Sequence, residues 1–498
     1  MLRRAALLLA TVAAGCAAPL AVHRQDLVLT SVAANYRAFY PADGDPDLAH
    51  DAGLLRPRFG LPAIAQTGAA IAVELLERGG PSVVRAALVR PDVDAVAAER
   101  CLGGAVIDGC QLLALTTVDR KAVAPTVERV RMTAPATAPP GAYDLYLHPP
   151  CDAPTRTPRA VWLRADDPAQ LAHVKVVQLS DIHIGKHVDA VEEHLKQVID
   201  EVNAEAPDLI LITGDIVNQG TDATLPPRAQ ALLVGLKAPV AIVIGNHDIG
   251  FRTFVGKQYG AGWENFARAF HPFLEFELEL GGYRFIGFDS GPSTLSPRIL
   301  TRGLSPETIA QLTRALDGAA KSGTRGVVLF SHAPSRTVLT GESSPSQAGL
   351  FGHMRDGHNA FERMLLVAAT HGQRVLHLAG HTHWDDVFEA QPVENGLGGI
   401  GGLGFVRWPD GAGDGVAATI HGKAAMVTTQ AATHAGPWPK ASARGYGFTT
   451  LLLGDGDPEV TFHRHDVAPA SGVAAKKDGT SAAKAGDSPR AQIGATAD

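Results

Sequence analysis

Five short groups of residues, each following an apolar run, carry side chains that bind metal ions. They are Asp181-Ile182-His183, Gly214-Asp215, Gly245-Asn246-His247-Asp248, His332 and Gly380-His381-Thr382-His383. Their carboxylates, amide and imidazoles are donors enough for two divalent ions, the equipment of metal-assisted hydrolysis. The mixture suits Mn, Fe, Zn or Co better than Ca, which prefers an all-oxygen shell. No cysteine falls in the series, which excludes a thiolate zinc site. A single Gly-Asp after a strand is ordinarily structural; the ordered series is what carries the chemistry.

Such residues must be delivered by a repeated element. Val174–Ser180 is an apolar run ending at Asp181, and Asp208–Thr213 is another ending at Gly214-Asp215. Between them Val188, Val191, Leu195, Val198, Ile199 and Val202 recur at helical spacing, so the segment reads as a β-α-β unit. The pattern returns at Val240–Ile244, Gly326–Ser331 and Val375–Ala379, and Tyr283–Phe288 is a further strand. Ser305-Pro306 is an N-cap followed by a first-turn proline. Ile309, Leu312 and Leu316 give that helix its apolar face, and Asn359 is expected to cap a second helix ending near Gly372. Ligands at strand carboxyl ends converge on one sheet edge. Residues two apart in an extended segment point the same way, so Asp181 and His183 can face one ion, and the same geometry puts His381 and His383 on one side. Asp215 is placed to bridge both ions, and Gly214, Gly245 and Gly380 allow tight turns.

The ordered series over residues 173–465 resembles the calcineurin-like metallophosphoesterase superfamily. The resemblance implies an α/β fold of two packed β-sheets flanked by helices. It implies two divalent metal ions, with Mn, Fe or Zn expected. One would be held by Asp181, His183, Asp215 and His383, the other by Asp215, Asn246, His332 and His381. A hydroxide between the ions would attack phosphorus. His247 would serve the leaving group, with Asp248 orienting its imidazole. The implied activity is hydrolysis of a phosphodiester in preference to a phosphomonoester, on a small phosphoester or an envelope-derived substrate. A non-catalytic metal- or ligand-binding lipoprotein is the alternative from another class. Asn218, three residues after Asp215, stands where the purple acid phosphatase branch has tyrosine, which argues against an iron-tyrosinate site. Secondary candidates are His187 and Arg336 for substrate contact. His353, His358, His421 and His434 are placed at the mouth or, more ordinarily, on the surface, and His377 reads as core.

The rest of the chain surrounds this unit. Met1-Leu2-Arg3-Arg4 followed by apolar residues to Ala14 reads as an export signal, and Val12-Ala13-Ala14-Gly15-Cys16 resembles a lipobox (1–16). The expected location is therefore the periplasm or cell envelope, with membrane contact through a lipid anchor on Cys16. Export permits disulfides, with Cys101–Cys110 expected and Cys110–Cys151 the alternative. Residues 22–166 contain short strands separated by Pro and Gly, which suggest a β-sandwich-like, immunoglobulin-like domain. Residues 384–446 are glycine-rich and read as an irregular insertion, and 469–498 read as a disordered tail. A net charge of −7 over 498 residues gives no footprint for nucleic acid.

Overall fold

The computed structural model describes residues 54–466, apart from 77–84, 94, 103–111, 125–126, 149–154, 187, 250–258, 292–302, 338–353, 355–356, 395–399, 409–413 and 435–444. The lipobox segment, the tail at 469–498, His187, His353 and the proposed cysteine pairings lie outside the described residues.

Two sheets dominate the carboxy-terminal part. The first has six strands: β10 (Val174–Leu179), β11 (Leu209–Ile212), β12 (Val240–Ile242), β19 (Ala418–Thr419), β21 (Gly445–Leu453) and β22 (Glu459–Asp466), ordered β12-β11-β10-β21-β22-β19. β10, β11 and β12 run parallel, and their apolar runs are buried on both faces. Helix α2 (Val188–Glu205) makes the β10–β11 crossover, and α3 (Leu225–Leu233) lies between β11 and β12 in sequence. The second sheet has seven strands: β13 (Glu275–Leu280), β14 (Tyr283–Phe288), β15 (Gly326–Phe330), β16 (Val375–Ala379), β17 (Asp386–Glu394), β18 (Ile400–Arg407) and β20 (Ala424–Thr428). β14, β15, β16 and β20 are parallel.

Alternation along these strands explains the layering. Val328, Phe330, Leu376, Leu378, Ala425 and Val427 join the core shared with the first sheet. Their neighbours Val327, Leu329, Val375, Ala424 and Met426 join a second core under α6 (Pro306–Lys321) and α7 (His358–Thr370). A period of two thus buries one face against a sheet and the other against helices. The result is the fold of two packed sheets flanked by helices that the resemblance implied. Ser305 Oγ accepts from the Thr308 N–H and caps α6. The expected cap at Asn359 is displaced: α7 begins at His358 after Gly357, which adopts a left-handed φ of 74°.

The irregular insertion expected at 384–446 is corrected. It contributes β17, β18 and β20, which complete one edge of the seven-stranded sheet. Glycine content had suggested a loop, but Phe388, Ala390, Phe405 and Met426 supply apolar side chains to the second core. Tertiary burial overrides the composition.

The amino-terminal part holds a four-stranded sheet of β1 (Leu54–Arg56), β3 (Ala70–Leu76), β7 (Val127–Thr133) and β6 (Thr116–Ala124). A five-stranded sheet follows the order β2 (Ala63–Gln66), β9 (Thr155–Arg164), β8 (Gly141–His148), β4 (Arg85–Val89) and β5 (Leu113–Ala114). Ile71, Val73 and Val130 of one sheet and Leu88, Leu145 and Val161 of the other share a core. Helix α1 (Ala95–Leu102) covers one end through Ala98. This region is not self-contained. Phe59 and Leu61 insert into the large core, and the Gly60 carbonyl accepts from the Ile242 N–H at 2.9 Å. The amino-terminal region thereby extends the edge at β12, the strand that leads to Asn246 and His247.

Candidate metal centre

All five residue groups lie at carboxyl ends of parallel strands, three from one sheet and two from the other. The sheets are tied together there: Gln178 Nε2 donates to the Ala379 carbonyl at 2.9 Å, and the Ala432 N–H to the Ser180 carbonyl at 2.8 Å.

The ligand segments are not extended, which corrects the geometric expectation for Asp181–His183 and His381–His383. Seven non-glycine residues among those described have positive φ, and five are Asp181 (52°), His183 (54°), Asp215 (53°), His381 (66°) and His383 (54°). Each such conformation costs on the order of 1–3 kcal/mol and persists only where surroundings over-determine it. Here they do: the N–H groups of Asp181, His183 and Ile184 donate to the carbonyls of Gly214, Asp215 and Ile216. Left-handed residues at alternate positions aim 181 and 183 inward together. Gly245 is required by close approach, since a Cβ there would stand 2.2 Å from Asp215 Oδ1.

Around Asp215 the atoms that gather are lone-pair bearers. His332 Nδ1 lies 2.8 Å from the Thr213 carbonyl, as an N–H donor would, which turns Nε2 towards the other ligand groups. Within reach of that Nε2 are Asp215 Oδ2 at 3.2 Å, Asn246 Oδ1 at 3.1 Å and His381 Nδ1 at 3.1 Å. On the other side His383 Nε2 is 3.1 Å from Asp181 Oδ1. His183 Nε2 lies 3.7 Å from Asp181 Oδ1 and 3.8 Å from Asp215 Oδ2. Neither nitrogen of the buried His183 ring has an aligned hydrogen bond. Converging acceptors in a dry site repel one another unless a cation sits among them. The donor set therefore fits metal ions. The groups that could hold an ion are Asp215, His332 and His381 on one side, and on the other His183 with Asp215 and His247 or with His383 and His434.

The electrostatics agree. Burial opposes charge on Asp181, but His383 and His183 beside it hold its carboxyl well below the usual range. Burial likewise opposes charge on Asp215, and His332 and His247 bring it down. Burial, with the charge of His247, pulls His183 down to about 4, keeping the ring neutral as a ligand requires.

His247 opens the short helix α4 (Asn246–Ile249); its N–H donates to Asp215 Oδ1 at 2.8 Å. Its Nδ1 is 2.9 Å from the Asn218 carbonyl, and Nε2 is 4.0 Å from Asp215 Oδ2. The expectation that Asp248 orients this imidazole is corrected. Asp248 accepts from the N–H groups of Ile216, Val217 and Gly245 at 2.9, 3.0 and 2.8 Å. It staples the second and third ligand loops together, and Asn218 is the residue that turns the ring. Nor is the charged ring favoured: burial pulls His247 down, against Asp215 and Asn218. Burial and Asp215 push Asp248 up to about 7, against its amide donors.

Of the secondary candidates, Arg336 is held by Glu362 through two contacts at 2.8 Å. His358 begins α7, His421 pairs at the surface with Asp457, and His377 is buried beside Phe288 and Phe361. His434 is different. Its ring lies 5.0 Å from both His183 and His383, and with them forms a group that could hold a metal. No local signal marked it, because it follows no strand-end motif. The sequence reading placed His434 only at the mouth or on the surface, and it missed Lys186, half-buried beside it.

Residues 174–385 match the family model of the calcineurin-like phosphoesterases. A UDP-2,3-diacylglucosamine pyrophosphatase of Chlamydia trachomatis serovar D is 31% identical over 104 residues, 20% of this chain and 30% of that protein. A Rhodopseudomonas palustris protein, named as a probable cyclic nucleotide phosphodiesterase, is 32% identical over 82 residues, 15% of this chain and 30% of it. The chain thus spans less than a third of the length of these relatives. A purple acid phosphatase from yellow lupin seeds aligns with a TM-score of 0.44 and 14% identity, covering 79% of this chain and 69% of that one. The stretch that is similar to the calcineurin-like phosphoesterases, residues 174–385, is thus the part of the chain that carries all five ligand groups.

Proposed function

We propose that this protein hydrolyses a phosphoester by metal-dependent chemistry, with a diester as the preferred substrate. The observation that supports it most is the convergence of lone pairs on Asp215, within 3.2 Å of His332 Nε2, which itself lies 3.1 Å from Asn246 Oδ1 and His381 Nδ1. Two bound divalent cations would supply a nucleophile at neutral pH and neutralise charge on phosphoryl oxygens.

The chain's own residues divide the remaining work. Asp181, His183, Asp215 and His383 would hold one ion, and Asp215, Asn246, His332 and His381 the other. His247 directs Nε2 towards the leaving oxygen, with Nδ1 fixed on the Asn218 carbonyl. A proton at Nε2 makes the ring an imidazolium, since Nδ1 already donates to Asn218; burial opposes that charge, and negative charge developing on the leaving oxygen would draw the proton there. Asp248 keeps loops 214–217 and 245–248 in register, so the ligand set arrives preassembled. The diester preference is supported by the likeness to a probable cyclic nucleotide phosphodiesterase, whose named substrate has phosphorus in two ester linkages. The sequence reading of export to the envelope, with an anchor on Cys16, makes an envelope-derived ester the expected source.

Turnover of bis(p-nitrophenyl) phosphate and of p-nitrophenyl phosphate, measured on protein reloaded with Mn, Zn or Fe, tests the reading. Faster cleavage of the diester is expected. Two bound ions with no turnover of either compound would overturn it and favour a non-catalytic binding protein. A Cys16→Ser chain that still sediments with membranes would remove the anchor.

A further inference from the structure

We infer that Lys186, held in place by His434, is an anion-binding residue at the edge of the metal centre that takes a phosphoryl oxygen. The inference rests on the phosphoester reading above and adds a residue to it.

The position is built rather than incidental. His183-Ile184-Gly185-Lys186 closes a turn in which the Lys186 N–H donates to the His183 carbonyl at 3.0 Å. Gly185 at the third position has φ 95°, the conformation a type II turn demands there. A Cβ at Gly185 would also stand 2.9 Å from Leu225 Cδ1. The turn brings Lys186 back alongside the ligand His183 instead of letting it run into solvent.

The partner comes from the far end of the domain. Thr433 is buried and donates from Oγ1 to the Ile182 carbonyl at 2.7 Å. Its hydroxyl proton is thereby used, so Oγ1 accepts from His434 Nδ1, 3.1 Å away. With the proton on Nδ1, His434 Nε2 is an acceptor, and Lys186 Nζ lies 3.1 Å from it. A neutral ring therefore fixes the ammonium without cancelling its charge. Lys175 shows the ordinary arrangement in the same domain, an ion pair with Glu205 at 3.2 Å.

Charge then decides what Lys186 is for. Burial opposes the charge on Lys186 and pulls it down, while the Asp181 and Asp215 carboxylates favour the ammonium. Once both carboxylates serve divalent ions, a fixed ammonium beside them is repelled unless an anion lies between. A phosphoryl oxygen is such an anion, and charge-assisted hydrogen bonds to it are the strong kind. His434 acts as the positioning residue.

The test uses the metal-loaded chain and inorganic phosphate, with calorimetry for affinity and elemental analysis for metal content. Lys186→Met should weaken phosphate binding about tenfold or more while two ions remain bound, and Lys186→Arg should restore most of it. His434→Ala should weaken phosphate binding less, again with both ions retained. Unchanged phosphate affinity in Lys186→Met, beside a wild type that binds phosphate, overturns this inference alone. Loss of an ion in His434→Ala overturns it too, because His434 would then be a ligand. A loaded wild type that binds no phosphate removes the phosphoester reading itself.

Discussion

The amino-terminal sheets and the metal centre bury charge in opposite ways. In the sheets, Glu74 is met by Arg56 at 2.6 Å and Arg129 at 2.6 Å, and Asp144 by Arg156 at 2.6 Å and the Arg159 N–H at 2.8 Å. Each carboxylate has its cation. In the centre, Asp181 and Asp215 are surrounded by imidazoles and an amide oxygen. One arrangement is complete as folded; the other has a place for positive charge that its own ligand groups do not fill. The difference separates a structural ion pair from a site that acts on something else.

The largest effect should follow from changing the carboxylate common to both ion positions. Asp215→Asn is expected to lower turnover by about 10³-fold or more and to weaken both ions, since it removes the bridging charge. Elemental analysis beside the rate checks this. Two ions bound as tightly as in wild type would dissolve the contrast drawn above. Next, on the proposed role of His247 at the leaving group, His247→Gln should lower kcat by about 10²-fold with both ions retained. Loss of an ion in that variant would move His247 into the ligand set.

On the other side of the comparison, Glu74→Gln should cost about 2 kcal/mol in urea unfolding while metal content and turnover stay unchanged. A fully buried broken pair costs more, but Arg56 and Arg129 are 30% and 41% exposed and water screens them. The sign with pH follows from Glu74 itself. Burial opposes its charge, but the two guanidiniums prevail and hold it below 4.5. Its stabilisation is present above that value and fades as pH falls through the depressed one. A variant that also loses metal would show that the amino-terminal sheets act on the centre through Gly60 and β12.

The sequence made the strand ends legible because a buried parallel strand is an unbroken apolar run. Val174–Leu179 and Val375–Ala379 could be little else, and the ligands stand directly after them. What was not legible depends on contacts distant in sequence. Asp248 follows His247 in sequence, which suggested an orienting role, yet its partners are the amides of Ile216, Val217 and Gly245. Its role is fixed by the meeting of two loops about 30 residues apart. His434 reaches His183 only because Thr433 bonds to the Ile182 carbonyl, 251 residues away in sequence. The glycines of β18 obscured a strand that Phe405 anchors in the core. The left-handed ligands were hidden for a similar reason: Asp and His do not announce positive φ as glycine does.

The smallest effect tests a third way of burying a titratable group, which is to keep it neutral. His271 Nε2 donates to the Ile242 carbonyl at 2.8 Å, and His377 Nε2 lies 3.0 Å from Ser331 Oγ. Burial pulls each ring down to about 3. Unfolding returns them to about 6.5, where the free chain takes up a proton that the folded state refuses. Their stabilisation is therefore complete above pH 6.5 and is lost as pH falls towards 3, by about 1.4 kcal/mol per pH unit for each ring. In His377→Gln the protons taken up on unfolding should fall, relative to wild type, by about a half at pH 6.5 and by nearly one at about pH 5, read from the pH dependence of urea unfolding. Metal site histidines contribute equally to both proteins, so the difference isolates His377. An identical slope in the variant would mean that His377 is charged in the folded protein. Its pocket against Phe288 and Phe361 would then have to hold a cation, as the centre does.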